Sequence, residues 1–351
     1  MEKQISIIIP TYNMEAYIGK CLDSLLIPEF DAVEVLVVND GSRDRSSEIA
    51  HSYADRYPTS IRVIDKPNGN YGSCINAALP LATGRYVKVL DADDTFDTAA
   101  FSRFVQMLPK IDDDAIITSY ITVDENGNII KHFDLSEYNL SSNQSYSLKH
   151  ICNKGIQMLA QMHRLTYNTN VFKKFNYHQS EGISYTDNEW AIIPLSYCQS
   201  IKFIPICIYH YLLGRSGQTM EDNRIFKSLD NFIAIGEKLA SFADRTNNPV
   251  PKEFINHMTT KLYEFIYFKL YSSWGDQSSK ILYESDNSLM KINHDIYFRL
   301  NNTSLDPSVN FKIFSEIRKA NYSPEFKVPF VVRFKISMAY RFNRFLNFSN
   351  K

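Results

Sequence analysis

The chain lacks any hydrophobic segment long enough to cross a membrane. No apolar run in its 351 residues approaches the roughly 18 residues that a spanning helix requires. The amino-terminal Met1-Glu2-Lys3-Gln4 leads directly into a strand-like run, without the pattern of a signal peptide. We therefore expect a cytoplasmic protein.

Cysteine is scarce and irregularly spaced. The five cysteines, at positions 21, 74, 152, 198 and 207, form no Cys-x-x-Cys pair, which argues against a disulfide framework or a structural zinc site. His163, His178 and His210 lack metal-ligand spacing as well. Free, mostly buried thiols and histidines in ordinary polar roles are expected.

Two phosphate-binding signatures are also missing. The first strand-like run is not followed by Gly-x-Gly-x-x-Gly, and the chain contains no Gly-x-x-x-x-Gly-Lys-Ser/Thr loop. The sequence therefore supports neither an NAD-dependent enzyme nor an ATPase.

Charge is nearly balanced but unevenly placed. The chain has 38 basic and 39 acidic residues, yet the segment from Lys327 to Lys351 holds six bases and no acid. The remainder has 32 bases against 39 acids, a net charge of −7. An acidic body opposes a phosphate backbone, so no nucleic-acid partner is indicated.

Four strand-then-helix units occupy the amino-terminal part of the chain. This alternation predicts an α/β fold with a parallel, doubly wound sheet and right-handed crossovers. Apolar runs predict strands at 5–10, 33–38, 61–65 and 86–90, and helical spacing predicts helices at 15–26, 44–57 and 73–81, with a fourth from near Thr98.

Polar loops follow these strands: 11–13 after the first, Asp40 after the second, 69–72 after the third and 91–93 after the fourth. The carboxyl ends of neighbouring parallel strands meet at one rim, where open α/β sheets bind ligands. We therefore expect a nucleotide at this rim.

The stretch Val89-Leu90-Asp91-Ala92-Asp93-Asp94 places three carboxylates within four residues. On an extended backbone Asp91 and Asp93 would share one side. They suit a hard divalent cation that holds a diphosphate, because magnesium takes one or two carboxylates together with substrate oxygens. Alternatively, Asp93 and Asp94 only cap the next helix.

Four segments, SIIIPTYNMEAYIGKCLDSLL, VLVVNDGSRDRS, PNGNYGSCINAAL and YVKVLDADD, resemble the family 2 inverting glycosyltransferases of the bacterial surface-polysaccharide type in order and spacing. The resemblance covers about the first 120 residues. It implies a GT-A fold with a mixed, mainly parallel sheet flanked by helices and a helical C-terminal extension. It also implies a transferase domain at 1–220, divided into a nucleotide-sugar half (1–120) and an acceptor half (121–220), and a helical region at 221–351.

The resemblance implies that the rim binds a nucleoside diphosphate sugar, with a UDP-sugar favoured. Asp91 would contact the ribose side, and Asp93 would hold the Mg²⁺ or Mn²⁺ that bridges the phosphates. Ile75-Asn76 stand where the family often has Arg-Asn. The implied nucleotide-sugar set is Pro10, Thr11, Tyr12, Glu15, Asp40, Asn70, Asp91, Ala92, Asp93 and Arg215.

Inverting transfer needs a carboxylate that takes a proton from the acceptor hydroxyl. The stretch from Tyr185 to Trp190 matches the family's Glu-Asp motif, which implies that Asp187 is the general base, with Thr186 replacing the usual Glu. The alternative is a helix cap by Thr186 or Asp187, with Glu189 at the positive end of the helix dipole. Trp190 is either an acceptor-sugar platform or part of the core.

A predicted strand at 204–211 runs into a segment where the family carries a basic loop over the diphosphate. Arg215 is the candidate, because a guanidinium binds phosphate oxygens in pairs. Gln218 and Thr219 are further candidates. A surface salt bridge is the alternative for Arg215.

Apolar stripes predict helices at about 225–242 and 254–270. A last helix, from near Val331, gathers aromatic residues on one side and arginines on the other. Such a helix can lie on an anionic membrane surface, or pack on the preceding helices or on a second subunit as a homodimer. The residues are Phe334, Met338, Phe342 and Phe345, against Arg333, Arg341 and Arg344.

The sequence thus predicts a metal-dependent inverting transferase that acts on a glycan in cell-surface polysaccharide synthesis. If the last helix docks on a membrane, the glycan acceptor would be lipid-linked. It would be cytoplasmic and peripheral on the inner face of the cytoplasmic membrane. The rival is a non-catalytic nucleotide-sugar sensor or assembly scaffold, suggested by Thr186 and Ile75 in place of motif residues.

Overall fold

A computed structural model describes residues 2–215, 227–306 and 309–332. The chain forms two compact units, one from the chain up to Asn231 together with Asn248–Phe254, the other from Phe232–Asn247 and the chain from Ile255 onwards. The boundary expected at residue 220, together with Gln218 and Thr219, lies outside the described residues. The same holds for the tail beyond Val332.

The first unit is built on a mixed sheet with the order β3-β2-β1-β4-β9-β6-β10-β5, with β7 paired to β6 and β8 to β10. β1 pairs in parallel with β2 and β4, β2 with β3, and β6 with β10, while the shorter pairings are antiparallel. The expected mainly parallel sheet is confirmed. The strands are β1 Ile5–Thr11, β2 Val33–Asn39, β3 Ile61–Asp65, β4 Tyr86–Val89, β5 Thr95–Phe96, β6 Ala115–Val123, β7 Ile129–Phe133, β8 Ser145–Tyr146, β9 Leu165–Asn168 and β10 Ile201–Leu212.

Helices follow the first four strands as predicted, with shorter bounds. α4 begins at Thr98, and its N-cap is Asp97, whose Oδ1 accepts a hydrogen bond of 2.7 Å from the Ala100 amide. The alternative that Asp93 and Asp94 cap this helix is therefore wrong. The helices of this unit are α1 Ile18–Asp23, α2 Ser46–Arg56, α3 Asn70–Ala78, α4 Thr98–Met107, α5 Leu148–Lys154 and α6 Asp187–Ser196.

β9 is a strand that the sequence did not predict. It lies between β4 and β6 and is antiparallel to both. Its four residues, Leu-Thr-Tyr-Asn, alternate apolar and polar side chains, which is typical of a strand with one exposed face, yet all four are buried. Strand β9 forms because β4 and β6 each leave an edge open to pairing. These open edges belong to the folded sheet and cannot be read from residues 165–168.

The chain beyond residue 227 is mostly helical, which confirms the expected C-terminal extension. Within the described part of the chain, no helix is both long and apolar enough to cross a membrane. Its helices are α7 Leu229–Asp244, α8 Pro249–Ser272, α9 Asp276–Ile292, α10 His294–Leu300 and α11 Ile313–Lys319, and its hairpin is β11 Ser304–Asp306 with β12 Val309–Lys312.

A buried ion pair lies in the core of the second unit. Asp286 has no exposed surface, and its carboxylate accepts hydrogen bonds from Arg318 Nε at 2.7 Å and Nη2 at 2.5 Å. The hydroxyls of Tyr267 and Tyr322 donate to the same carboxylate. The charge on Asp286 is therefore paired and fully hydrogen-bonded, as burial requires.

Candidate active site

The rim begins where β1 and β2 end. The Asp40 amide donates to the Thr11 carbonyl at 2.8 Å, and the Asp40 carboxylate is almost fully buried. That carboxylate accepts hydrogen bonds from Lys66 Nζ at 2.7 Å, the Gly69 amide at 2.9 Å and Asn68 Nδ2 at 3.0 Å. Asp40 thus ties the loop after β2 to the loop after β3, through a lysine that sequence reasoning missed.

The loop after β1 offers an open face. Pro10 still pairs in register with β2, and Tyr12 is 42% exposed. Glu15 accepts a hydrogen bond from the Arg45 amide at 3.0 Å, and its own amide donates to Asp44 Oδ2 at 3.0 Å. The loop is therefore fixed to the start of α2 while the Tyr12 ring remains accessible.

The acidic stretch is a turn rather than an extended strand. The last hydrogen bond of this segment to β1 is from the Leu90 amide to the Ile8 carbonyl. The turn follows, and in it the Asp94 amide donates to the Asp91 carbonyl at 2.9 Å. The extended arrangement expected for Asp91 and Asp93 is wrong, because the chain must reverse into β5. Ala92 is buried inside this turn.

Asp94 anchors the turn to β10. Its carboxylate accepts hydrogen bonds from the Tyr209 hydroxyl at 2.6 Å and the Leu212 amide at 2.7 Å. Burial, and then the charges of Asp93 and Asp91, raise the pKa of Asp94 well above its ordinary value. Asp94 therefore holds the cluster in place.

Arg215 is paired with Asp93. Its Nε donates to Asp93 Oδ2 at 2.5 Å, and the two side chains are only 12% and 11% exposed. The guanidinium also lies 5.4 Å from the centre of the Tyr17 ring. A surface salt bridge, the alternative for Arg215, is excluded by this burial.

Asp91 faces the interior of the site. Burial, followed by the charges of Asp93 and Asp187, raises the pKa of Asp91 to about 8, while Tyr71 and Arg215 act in the opposite direction. Oδ1 of Asp91 and the hydroxyl of Tyr71 are both buried and have no hydrogen-bond partner among the residues that the structure describes. Such atoms suit the polar groups of a ligand.

Tyr71 reaches this position through Asn70, which opens α3. Asn70 adopts φ +64°, the left-handed region that Asn tolerates better than most residues. Its carbonyl accepts a hydrogen bond of 2.6 Å from Ser73 Oγ. Sequence reasoning marked this loop for its glycines and missed the tyrosine.

Asp187 lies at the first turn of α6 and joins the same cluster. Burial raises the pKa of Asp187 to about 6, although hydrogen bonds from Asn188 lower it. The Thr186 hydroxyl accepts from Gln179 Nε2 and α6 begins without a side-chain cap, so the capping part of the alternative is wrong, while Asp187 and Glu189 do lie in the first turn of the helix. Carboxylates far apart in the chain thus lie close enough for their charges to act on one another.

Tyr211 faces all four carboxylates. Burial, followed by the charges of Asp94, Asp91, Asp93 and Asp187, raises its pKa above the ordinary value. Its ring lies against His163, with the ring centres 4.4 Å apart. Tyr211 therefore lies close enough to the four carboxylates for their charges to act on it.

The residues present fit a divalent cation. One ligand atom each of Asp91, Asp94 and His163 lie within 4.8 Å of one another. Burial, Lys88 and Arg164 lower the pKa of His163 to about 3, so its ring is neutral, as a metal ligand must be. His163 is therefore a further candidate ligand that its sequence context did not suggest.

Trp190 lies in the core. It has no exposed surface, and its ring stacks on Phe172 at 5.2 Å and meets Tyr167 edge-on at 5.4 Å. Of its two interpretations, the structure shows core packing. In this arrangement the Trp190 ring has no face to offer an acceptor sugar.

Known proteins resemble this chain in sequence and in fold. Residues 6–174 match the family model "Glycosyl transferase family 2". An uncharacterized glycosyltransferase of Mycoplasma pneumoniae, the MG025 homolog, is 47% identical over 102 residues, which are 28% of this chain and 34% of that protein. EpsJ of Bacillus subtilis, also an uncharacterized glycosyltransferase, is 43% identical over 102 residues, 29% of each chain. The matched segment spans about a third of the length of these relatives.

The crystal structure of S. aureus TarS 1–349 in complex with UDP-GlcNAc has a similar fold. It superposes with a TM-score of 0.67 at 18% identity, covering 93% of this chain and 95% of that chain. The likeness shows the fold, which is the GT-A fold expected from the sequence.

Proposed function

Because residues 6–174 of this chain belong to glycosyl transferase family 2, we propose that the protein moves a sugar from a nucleoside diphosphate sugar to a hydroxyl group of a glycan, with inversion at the anomeric carbon. The supporting observation is the meeting of Asp91, Asp93 and Asp187 in one half-buried cluster, where the charges of Asp93 and Asp187 act on Asp91. Inverting transfer needs a diphosphate site and a base on opposite sides of one sugar.

The nucleoside binds at the open end of the rim. Thr11, Tyr12, Glu15 and Asp40 surround base and ribose, with the exposed Tyr12 ring as a stacking surface. A UDP-sugar is favoured, which the shared fold of TarS, solved with UDP-GlcNAc, supports.

Asp93, together with Asp91, would hold Mg²⁺ or Mn²⁺, which supplies positive charge against the diphosphate. Asp94 and His163, whose ligand atoms lie within 4.8 Å of that of Asp91, would be further ligands. Arg215 lies at the same place and can pair with phosphate oxygens as the leaving group gains charge. The unpartnered Asp91 Oδ1 and the repulsion among these carboxylates support a cation here.

Asp187 is the general base. A bond forms between the acceptor oxygen and the anomeric carbon, the bond to the diphosphate oxygen breaks, and the acceptor proton passes to the Asp187 carboxylate. A pKa of about 6 suits this role, because the group is mostly ionised at pH 7 yet more basic than an ordinary aspartate.

The acceptor is a lipid-linked glycan in cell-surface polysaccharide synthesis, met by an enzyme that is peripheral on the inner face of the cytoplasmic membrane. The support is the tail from Lys327 to Lys351, with six basic residues and no acid. Binding to liposomes with and without anionic lipid, compared for the full chain and a chain ending at Val332, tests this assignment. Equal binding by the two chains would contradict it.

The function is tested by measuring which donors bind and then turn over. UDP-glucose, UDP-galactose, UDP-GlcNAc and GDP-mannose are screened by thermal shift with Mg²⁺, with Mn²⁺ and with EDTA, since ligand binding raises apparent stability. We expect one donor class to stabilise the protein only with metal and to release its nucleoside diphosphate. Binding without any release, with or without glycan acceptors, would instead favour the non-catalytic sensor or scaffold.

A further inference from the structure

A short segment links the loop after β3 to the helix that carries Asp187. We call residues 178–182 the strap. Asn76 of α3 pairs with the backbone of Gln179, its Nδ2 donating to the Gln179 carbonyl and its Oδ1 accepting from the Gln179 amide, both at 2.9 Å. The same Nδ2 donates to Glu181 Oε1 at 2.8 Å. One amide side chain thus holds the strap along its length.

The strap in turn fixes the first turn of α6. Gln179 has no exposed surface, and its Nε2 donates to both the carbonyl and the hydroxyl of Thr186 at 2.9 Å. Its Oε1 accepts from the Tyr177 hydroxyl at 2.9 Å. On the other side of Asp187, Glu189 Oε2 accepts from the Ser180 amide at 3.0 Å. The residues on both sides of Asp187 are therefore held by the strap.

The strap also touches the glycine loop directly. The Gly182 amide donates to the Gly69 carbonyl at 2.8 Å. Gly72 lies so close to the strap that a Cβ on it would be 1.9 Å from the Ser180 carbonyl oxygen. Only glycine permits this approach, so the loop that carries Tyr71 and the strap form one packed unit.

We propose that Asn76 and Gln179 are positioning residues, which hold Asp187 at the distance from the donor that proton abstraction requires. The inference rests on the proposed role of Asp187 as base. Neither side chain touches a reacting atom. Both are fully hydrogen-bonded, Gln179 in the interior and Asn76 half-buried, and a satisfied network fixes geometry in a way that a loose contact does not.

The network also explains the departure at Ile75-Asn76. Ile75 has no exposed surface and belongs to the core of the first unit, so α3 presents no cation to a phosphate at this position. Asn76 acts on the strap instead. At this position the helix therefore contributes to the site through the base rather than through the diphosphate.

The test compares Asn76→Ala and Gln179→Met with the wild type. A base displaced by about 1 Å can slow a reaction by up to about 100-fold, so we expect kcat to fall about 10-fold to 100-fold. The KM for the donor and the Kd for UDP should stay within about twofold, because Thr11, Tyr12 and Glu15 lie at the end of β1 and on the loop after it. Two variants are used so that poor folding of one leaves the other to decide.

A second readout does not depend on activity. The carboxyl carbon of Asp187, assigned by its loss in Asp187→Asn, is titrated by NMR in metal-free protein. The groups that face Asp187 are Asp91, Tyr71 and Tyr211. We expect the titration midpoint to lie near pH 6 in the wild type and lower in both variants, since a released carboxylate gains water.

Ser6→Ala is the matched control. Ser6 is equally buried, donating to Glu34 Oε2 at 2.5 Å and accepting from the Gly84 amide at 2.9 Å, but it lies at the amino ends of the strands. This control should lower the unfolding temperature and leave both kcat and the Asp187 titration unchanged.

Wild-type kcat in folded Asn76→Ala and Gln179→Met would overturn the proposal, as would an equal loss in Ser6→Ala or a parallel loss of UDP affinity. If the wild type neither transfers nor hydrolyses any donor, the proposed function fails. The NMR titration then decides the positioning role alone, and an unshifted midpoint in both variants overturns it.

Discussion

At the scale of the residue, burial determines what each carboxyl group can do. Asp187 and Asp91 have pKa values of about 6 and about 8, in each case because burial is the largest influence. Asp40 is less exposed than either of them, but its carboxylate accepts hydrogen bonds from Lys66 and from the Gly69 amide. The same side chain is thus a proposed base, a proposed cation ligand or a structural tie according to its neighbours.

Asp187→Asn should abolish transfer, by at least about 10³-fold, while donor binding persists, because the amide cannot accept the proton. The variant should also be more stable than the wild type at pH 8. The folded pKa of about 6 exceeds the ordinary value of 3.8, so the folded state binds the proton more tightly, and this stabilisation is lost as pH rises through 6.

The expected gain at pH 8 is about 1–3 kcal/mol, and it should vanish near pH 4. Urea unfolding at the two pH values measures it. Turnover by Asp187→Asn at the wild-type rate would remove Asp187 from the mechanism, whatever its effect on stability.

The pH dependence of the wild-type rate follows from the same group. With Asp187 as base, kcat should fall about tenfold per pH unit below pH 6 and level off above it. Initial rates from pH 4.5 to 8.5, at saturating donor and metal, measure the profile. An acid limb centred near pH 4 would mean that the base is an exposed, ordinary carboxylate rather than Asp187.

At the scale of the element, the strands that could be predicted are those whose own residues decide their environment. β1 and β2 are apolar along almost their whole length and are buried there, so composition alone identified them. β9 was not identifiable, because its place depends on the open edges of β4 and β6.

The site divides in the same way. Asp40, Asp91 and Asp93 could be predicted because each follows a strand at the binding edge of a parallel sheet. Tyr71 and Gln179 could not, because their surroundings come from contacts between distant segments. Sequence therefore located the acids and left out the framework that orients them.

Asp97→Ala tests the element that follows the acidic turn. The Asp97 carboxylate caps α4 by accepting from the Ala100 amide, and loss of such a cap lowers stability by about 1 kcal/mol. Asp97→Asn keeps an acceptor oxygen and should lose only a few tenths of this. Chemical denaturation gives both values, and UDP affinity should be the same in all three proteins. A smaller loss for alanine than for asparagine would contradict the capping role.

At the scale of the whole molecule, the chain carries two cores with different chemistry. The first unit gathers acids that repel one another around a proposed ligand site, whereas the second encloses the satisfied pair of Asp286 and Arg318. The two tryptophans are divided between the units, Trp190 in the first and Trp274 in the second. Each unit therefore contains its own fluorescent reporter.

The last prediction uses this division. Asp286→Asn leaves Arg318 buried without its counter-charge, which should destabilise the second unit by about 3 kcal/mol. The change is made in Trp190→Phe and Trp274→Phe backgrounds, so that the remaining tryptophan reports one unit. We expect the urea midpoint measured by Trp274 fluorescence to fall and the midpoint measured by Trp190 fluorescence to stay the same. The affinity for UDP should not change.

Lys319→Ala is the control, on α11, the helix that carries Arg318. Lys319 pairs with Glu316 at 2.6 Å, but both side chains are exposed, so its loss should change stability by less than about 0.5 kcal/mol. If Asp286→Asn shifts the Trp190 and Trp274 transitions by the same amount, the units unfold as one and the pair stabilises the whole chain. If it shifts neither, the carboxylate is replaceable by an amide, and hydrogen bonding rather than charge accounts for its burial.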